Sequence, residues 1–514
     1  MKSKLLKIFS SVESGLIERT VPVRLSLLAA LSGEHLLLIG PPGTAKSEMA
    51  RKLCTAFSNI TYFERLLTRF SVPEELFGPL SIKALEDDRY HRLTKSYLPD
   101  ANIAFIDEIF KANSAILNSL LTLLNEREFD NGSERQKTPL ISVIAASNEL
   151  PEDETLEALF DRFLIRYELL PVSDVGFNSL LALTNTSKVN ATDVDKLSAS
   201  DIEKIQLEST PIKLNEDAHA IFCNLRIFLK EKSIYTSDRR WRKALKILQV
   251  SAYTNNKKAI DKWDCLLLTH FMWQTPDQFN DLNAWFINEL GLDINIAVKR
   301  IEKLILVWEQ KLLEDSQKHI QKTNIHGENL YLTPKGETTT QREQVSLAER
   351  NDEVLFLAPP DQKDRTNSNK GYTLKELEEA FFDESFKQTH IDGRWIDLQN
   401  YTNNTQNRLV NRIEFEPLVE AYYFSQEYVL NQHSELSDIV NDVDNMCDDF
   451  SALQLELKNV MQNNIWLSCG LVETAYDDIN NMSPSLVDFQ QRLQALLNVN
   501  KSLKVIVQTP AEAN

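Results

Sequence analysis

Eight consecutive residues have the composition of a phosphate-binding loop that leads into a helix. They are Gly40, Pro41, Pro42, Gly43, Thr44, Ala45, Lys46 and Ser47. Backbone N–H groups in such a loop wrap a phosphate, and the helix N-terminus adds partial positive charge. Lys46 is placed to contact the outer phosphates of a nucleotide, and Ser47 is placed to ligate Mg²⁺. Ala45 replaces the usual glycine before the lysine, and a chance turn remains the alternative for this loop taken alone.

Two acidic residues follow a second apolar run further along the chain. Residues 102–106 are followed by Asp107 and Glu108. At the carboxyl end of a buried strand, Asp107 would hold Mg²⁺ through water and Glu108 would polarise an attacking water. Taken alone, the pair could be solvated acids at the end of a strand. Beside the loop, it supplies the second requirement of phosphoryl transfer, a metal with a positioned water.

Three further polar residues are candidates for contacts with the same phosphates. Asn148 follows a third apolar run and could bind a phosphate or the water, although an asparagine that caps a turn has the same pattern. Arg162 could act on a neighbouring subunit, or it could form an ion pair with Asp161 or Glu157. Arg239 opens a helix, where a basic first turn is mildly unfavourable and therefore hints at an anionic partner.

Alternating strand and helix patterns predict the element that holds these residues. The apolar runs at 35–39, 102–106 and 140–146 are typical of buried parallel strands. Helical periodicity at 47–57 and 114–126 separates them. We therefore expect an α/β fold with a parallel sheet covered by helices on both faces.

The rest of the chain is mostly helical, with one β-rich interruption. Helical patterns cover residues 212–232, 238–253, 261–273, 281–317 and 438–500, while 187–200 is a polar loop. Short strands are expected at 329–341, 354–358, 371–373 and 411–417, and Asn131-Gly132 predicts a hairpin. The predicted division is an α/β core at 1–178, a helical lid at 179–277, a discontinuous helical domain at 278–323 and 432–505, and a small β-rich insert at 324–431.

Composition narrows the class of partner. The 514 residues carry a net charge of −19, with a pI near 5.0, whereas DNA-binding proteins are usually basic. Five scattered cysteines argue against a disulfide framework or a structural zinc site. The longest apolar stretch is interrupted by polar residues, so we expect no membrane span and a cytoplasmic protein.

The motifs together resemble those of AAA+ ATPases of the MoxR family. Supporting stretches are Leu-Thr-Arg-Phe-Ser at 67–71, Glu-Leu-Phe-Gly-Pro-Leu-Ser-Ile at 75–82, Leu-Asn-Glu-Arg at 124–127 and Ala-Ala-Ser-Asn-Glu-Leu-Pro at 145–151. The resemblance implies ATP or ADP with Mg²⁺, and rings that are usually hexamers, with Arg162 acting in the next subunit. It implies that Arg239, or else Arg240, is the sensor of the lid. It places Ile17 beside the adenine, as an apolar contact only, and residues 77–99 at a central pore.

Within that family, the sequence is similar to the RavA type, which carries a split helical domain with a β-rich insert. Such proteins act in a chaperone-like role with ViaA, a protein with a von Willebrand factor A (vWA) domain. In enterobacteria the insert also binds inducible lysine decarboxylase. That enzyme stays a candidate partner without residue-level support, because residues 324–431 show no match. A DNA-directed motor or transcription activator is opposed by the acidic charge. A non-hydrolysing scaffold is opposed by the intact Lys46, Asp107, Glu108 and Arg162.

Overall fold

The computed structural model describes residues 1–151, 154–182, 196–467 and 470–506. The chain divides into two compact units. The first comprises Met1–Ile301 and Val443–Asp488, and the second comprises Glu302–Asp442 and Phe489–Asn514. Each long C-terminal helix contributes residues to both units, so the predicted limits of the helical domain and of its insert stay predictions.

Alternating helices and strands form the first part of the chain. Its elements are α1 Lys2–Val12, α2 Thr20–Ser32, β1 Leu36–Ile39, α3 Lys46–Thr55, β2 Tyr62–Leu66, α4 Pro73–Phe77, α5 Ile82–Glu86, β3 Ile103–Asp107, α6 Ser114–Glu126, β4 Glu128–Asn131, β5 Glu134–Lys137, β6 Ser142–Ser147, α7 Glu154–Phe160, β7 Ile165–Glu168 and α8 Asp174–Leu181. The three predicted strands are present as β1, β3 and β6, and β4 with β5 forms the predicted hairpin.

A five-stranded parallel sheet with strand order β2-β3-β6-β1-β7 lies at the centre of the first unit. Strands β1 and β6 are buried at every position. This confirms the predicted α/β class. The sequence analysis missed β2 and β7, the two edge strands. Each carries charged residues in a short run, and Arg166 in β7 is buried all the same.

Helices follow the sheet in the region that was predicted to form a lid, residues 179–277, and in the first part of the predicted discontinuous helical domain, residues 278–323. They are α9 Ala199–Ser209, α10 Glu216–Glu231, α11 Asp238–Thr254, α12 Pro276–Glu289 and α13 Ile294–Gln317, with a short strand pair of β8 Lys213–Leu214 and β9 Ala259–Ile260. The α-helix predicted at 261–273 is wrong, because this segment contains a 3₁₀ helix at Asp264–His270. The helix predicted at 281–317 is two helices with a turn at Gly291 between them. Most of the loop predicted at 187–200 lies outside the described residues.

Short antiparallel strands dominate the second unit. Its elements, together with the two long helices that enter it, are β10 His319–Gln321, β11 Tyr331–Leu332, β12 Thr338–Thr339, β13 Glu343–Leu347, β14 Glu349–Arg350, β15 Glu353–Val354, α14 Leu374–Phe381, β16 Gln388–Ile391, β17 Arg394–Asp397, α15 Leu398–Asn403, β18 Val410–Glu414, β19 Glu416–Pro417, β20 Val419–Ala421, α16 Gln426–Asn463 and α17 Leu471–Ser502. Residues 371–373 form an isolated bridge at Tyr372 and not the predicted strand. The helix predicted at 438–500 is two helices, α16 and α17.

Residues near the end of α16 return to the first unit and complete its interior. The buried Asn464 side chain accepts a hydrogen bond from Asn255 and donates one to Asp264. The Trp466 indole donates to the hydroxyl of Thr254 at 2.7 Å. Asn464 and Trp466 are buried, and these hydrogen bonds join them to partners that lie about 200 residues away in sequence.

No helix among the described residues is long and apolar enough to cross a membrane. Cys54, Cys223, Cys265 and Cys447 are free thiols, and Cys469 lies outside the described residues.

Candidate functional site

The loop from Gly40 to Ser47 joins the buried strand β1 to helix α3. The N–H of Gly40 donates to the carbonyl of Ser147 at 3.0 Å, which fixes the start of the loop on the neighbouring strand β6. A Cβ atom at position 40 would lie 2.2 Å from the carbonyl oxygen of Leu169. Only glycine fits there, because backbone atoms that follow β7 occupy the space of a side chain.

Ala45 adopts the left-handed conformation, with φ of 67°, directly before the first residue of α3. An alanine in this region costs about 1–2 kcal/mol, because its Cβ approaches the following carbonyl. The loop therefore keeps the conformation that glycine would provide, and the chain carries the strain.

The Lys46 ammonium group lies inside the loop and is buried. It donates to the carbonyls of Gly40 at 2.6 Å and Pro41 at 3.1 Å, and to the amide oxygen of Asn148 at 3.1 Å. Burial lowers its pKa, and the charges of Asp107 and Glu108 oppose that shift. The cation therefore lies near both acids, so that one group of residues offers a positive charge for phosphate and carboxylates for a metal ion and a water.

Asn148 links the loop to the acid that was predicted to polarise water. Its oxygen accepts from Lys46, and its Nδ2 donates to the Glu108 carboxylate. Glu108 also pairs with Lys111 at 3.1 Å, and it has a left-handed φ of 55°. One face of Glu108 borders a cavity of about 870 Å³ that Arg69 also lines. The side chain is therefore held from two sides beside an accessible space.

Asp107 ends β3 beside this group. Burial raises the pKa of its carboxyl, while the N–H of Glu108, at 3.0 Å from the carboxylate, and the charge of Lys46 lower it. A Ser47 hydroxyl and an Asp107 carboxylate are the oxygen ligands that Mg²⁺ prefers. The described residues contain no cluster of three or more His, Cys, Asp or Glu that could hold a metal. A Mg²⁺ ion at this site would therefore need further oxygens from water and phosphate.

Arg19 is a residue of this region that the sequence analysis missed. Its buried guanidinium donates to the carbonyl of Thr44 at 3.1 Å and to that of Leu170 at 3.0 Å. Arg19 therefore links the phosphate loop to the residues that follow β7. An arginine just before the apolar helix α2 was the available signal. The predicted adenine contact Ile17 is half-buried two residues earlier.

The structure does not bring Arg162 and Arg239 to the phosphate loop of their own chain. Arg162 precedes β7, whose Ile165 pairs with Leu36 at the start of β1, whereas the loop follows the end of β1. The four residues of β1 separate its two ends by about 13 Å. Arg239 donates to Asn125, at the end of α6, and its charge contributes to the lowered pKa of His35, just before β1. Both arginines therefore lie near the N-terminal end of β1, whereas the loop follows its C-terminal end.

Neither alternative ion pair of Arg162 forms among the described residues. Asp161 pairs with Arg240 at 3.2 Å, and the buried Nε of Arg162 has no hydrogen-bond partner.

Comparisons with known proteins point to one family. Residues 3–207 match the family described as the MoxR domain in the MoxR-vWA-beta-propeller ternary systems, and residues 218–286 match an AAA lid domain. Two uncharacterized proteins of Methanocaldococcus jannaschii are similar to this chain. One is 40% identical over 276 residues, which is 53% of this chain and 72% of the relative. The other is 39% identical over 279 residues, 53% and 71% respectively. Protein MoxR of Paracoccus denitrificans is 31% identical over 149 residues, 28% of this chain and 43% of that protein.

Proposed function

This chain belongs to the MoxR family of AAA+ ATPases, and from that premise we propose that it hydrolyses Mg²⁺-bound ATP in a ring of identical subunits. The energy would drive remodelling or regulation of protein partners. One observation carries the proposal: the Asn148 amide joins the loop lysine to Glu108. A scaffold that only binds nucleotide has no need to orient a carboxylate in this way.

Each residue of the site has a distinct task in the proposed reaction. Lys46 neutralises the outer phosphates, exchanging loop carbonyls for phosphate oxygens. Mg²⁺, held by Ser47 and by Asp107 through water, would neutralise charge that develops between the β- and γ-phosphates. Glu108 accepts a proton from the attacking water, and Asn148 fixes the direction of that carboxylate.

The position of Arg162 supports a site shared between subunits. Because Arg162 lies at the end of the sheet opposite its own phosphate loop, it can reach a γ-phosphate only in a neighbouring chain. In a closed ring, each subunit presents one face to the loop face of the next. An arginine supplied in this way stabilises the transition-state charge and is worth ~10³–10⁵ in rate. Arg239, at the same end of the sheet, would likewise contact the nucleotide of a neighbouring subunit.

Mixing two inactive variants tests the shared site. Arg162→Ala keeps its own loop and Glu108, whereas Glu108→Gln keeps its arginine. In random mixed rings, about one interface in four joins an intact Glu108 to an intact Arg162. We expect phosphate release from the mixture to exceed that of either variant alone by an order of magnitude or more. A mixture no more active than its parts would remove Arg162 from the neighbouring site.

The proposed partner is a protein with a vWA domain. The matched family is described from ternary systems of MoxR, vWA and beta-propeller proteins. An ATPase that remodels a partner should bind it in the ATP state. A purified vWA-domain partner should therefore bind Glu108→Gln more tightly with ATP than with ADP, as measured by size-exclusion chromatography. Equal binding in both states would argue against coupling.

A further inference from the structure

The segment that carries Arg162 is held by two buried arginines from different parts of the fold. We call residues 160–164, from the last residue of α7 to the residue before β7, the finger segment. Its own backbone turns are closed by Arg162 N–H to the Leu159 carbonyl at 3.0 Å and by Phe163 N–H to the Phe160 carbonyl at 3.2 Å. Because the Arg162 Nε has no partner among the described residues, the segment's backbone must fix where that side chain starts.

Arg166, in β7, holds the finger segment from the sheet side. Its guanidinium donates to the carbonyls of Phe160 and Phe163, both at 3.1 Å, and lies 3.5 Å from the centre of the Phe160 ring. The same group donates to the carbonyl of Trp273, which follows the 3₁₀ helix of the lid. Arg166 therefore contacts the finger segment and the lid at once.

Arg240, in the first turn of α11, holds the finger segment from the lid side. It donates to the carbonyl of Leu164 at 3.1 Å and to Asp161 at 3.2 Å. It also donates to the carbonyl of Phe271, within the lid. The neighbouring Arg239 makes none of these contacts and bonds Asn125 instead.

Burying two guanidinium groups to fix a turn has a high desolvation cost. Burial lowers the pKa of Arg240 to about 10 and that of Arg166 well below its usual range, and Arg240 adds repulsion to Arg166. In the described residues, Asp161 is the carboxylate that pairs with Arg240, and no carboxylate pairs with Arg166. An apolar pair of side chains would pack with less cost. What the arginines add is several directed donors that span the lid and the finger segment.

We propose that Arg240 and Arg166 are positioning residues that transmit the position of the lid to Arg162. A movement of α11 displaces the Arg240 donors, and the finger segment follows. The lid of one subunit thereby sets how well Arg162 reaches the nucleotide of the next. This inference rests on the proposed role of Arg162 in a neighbouring site. It also assigns Arg240 to the finger segment instead of to a nucleotide.

Complementation separates this role from a local one. Arg240→Lys keeps the charge but loses the forked donors, and a lysine cannot serve the acceptors on both sides. A misplacement of about 1 Å costs up to ~10²-fold in rate, so we expect kcat to fall ten- to a hundredfold. The KM for ATP should change less than twofold, because the phosphate loop is untouched. Arg242→Lys, an exposed arginine on the same helix, is the matched control and should keep wild-type turnover.

The deciding measurement mixes Arg240→Lys with Glu108→Gln. The Glu108→Gln subunits supply well-placed arginines, so sites of Arg240→Lys subunits should regain activity, as in the Arg162→Ala mixture. If the Arg162→Ala mixture recovers and the Arg240→Lys mixture does not, Arg240 acts within its own subunit and our inference is wrong. If the Arg162→Ala mixture fails as well, the proposed shared site is wrong instead.

A second variant guards against a folding defect. The Asp161 side chain is 44% exposed, so Asp161→Asn keeps its shape and removes only the charge that faces Arg240. Thermal unfolding should match the wild type within a few degrees. We expect a smaller loss of kcat that Glu108→Gln subunits again rescue. A loss of kcat without rescue contradicts the proposal even if Arg240→Lys does not fold.

Discussion

Replacing Glu108 by glutamine should separate nucleotide binding from hydrolysis. The glutamine oxygen can still accept from Asn148, whereas its NH₂ group would face the Lys111 ammonium and cannot take a proton from water. The loop contacts of Lys46 do not involve Glu108 and should persist. General base catalysis contributes about 10²–10⁴-fold, which corresponds to ~3–5 kcal/mol of barrier. We therefore expect kcat to fall by that factor, with ATP affinity within about threefold.

Two assays on the same preparation measure this separation. Phosphate release gives kcat, and fluorescence of a labelled ATP analogue gives the dissociation constant. Glu134→Gln, which removes an exposed carboxylate from β5, controls for the change in net charge and should behave as wild type. If Glu108→Gln keeps kcat within threefold, Glu108 is not the base. If it loses ATP binding instead, the carboxylate acts in binding and the reasoning from Asn148 is wrong.

Three further outcomes follow from single contacts. Ala45→Gly should raise the free energy of unfolding by up to about 1 kcal/mol, because relief of the left-handed strain exceeds the entropy cost of glycine; chemical denaturation with no gain would contradict the strain. Asn148→Asp would place a second carboxylate against Glu108, so the acid limb of the kcat–pH profile should move to higher pH; an unmoved limb would disprove the contact. Burial lowers the pKa of His270 from 6.5 to about 4, so the stability that its neutral form contributes is present above pH 6.5 and is lost as the pH falls towards 4. The free energy of unfolding should fall there by up to about 1.4 kcal/mol per pH unit. His270→Phe should reduce this slope in denaturation measurements between pH 4 and pH 6.5, and an unchanged slope would show that His270 is not its cause.

The sequence predicted the centre of the sheet because burial leaves a pattern there. Strands β1, β3 and β6 contain continuous apolar runs. The polar residue Asp107 ends β3, and Asn148 directly follows β6. Edge strands such as β2 have one neighbour and a partly exposed face, so their alternating charged residues resemble a loop. The 3₁₀ helix at Asp264–His270 has helical composition, and periodicity does not distinguish it from an α-helix at this length.

Roles that depend on tertiary contacts left no local signal. The run Ser237–Trp241 offers two adjacent arginines, and nothing in its spacing tells that Arg240 is buried against the finger segment while Arg239 faces Asn125. Arg19 acts through carbonyls of Thr44 and Leu170, groups that every residue has. Backbone acceptors carry no sequence pattern, so contacts of this kind are found only once the fold is known.

The return of Asn464 and Trp466 to the first unit has a consequence for biosynthesis. Residues 3–207 and 218–286, which match the family models, leave the ribosome long before these two side chains exist. Until then, Thr254, Asn255 and Asp264 lack the partners that later bury with them. The nascent first unit should therefore stay open to proteases until about residue 470 has been synthesised. The first unit is completed only after the intervening segment Glu302–Asp442 has been synthesised.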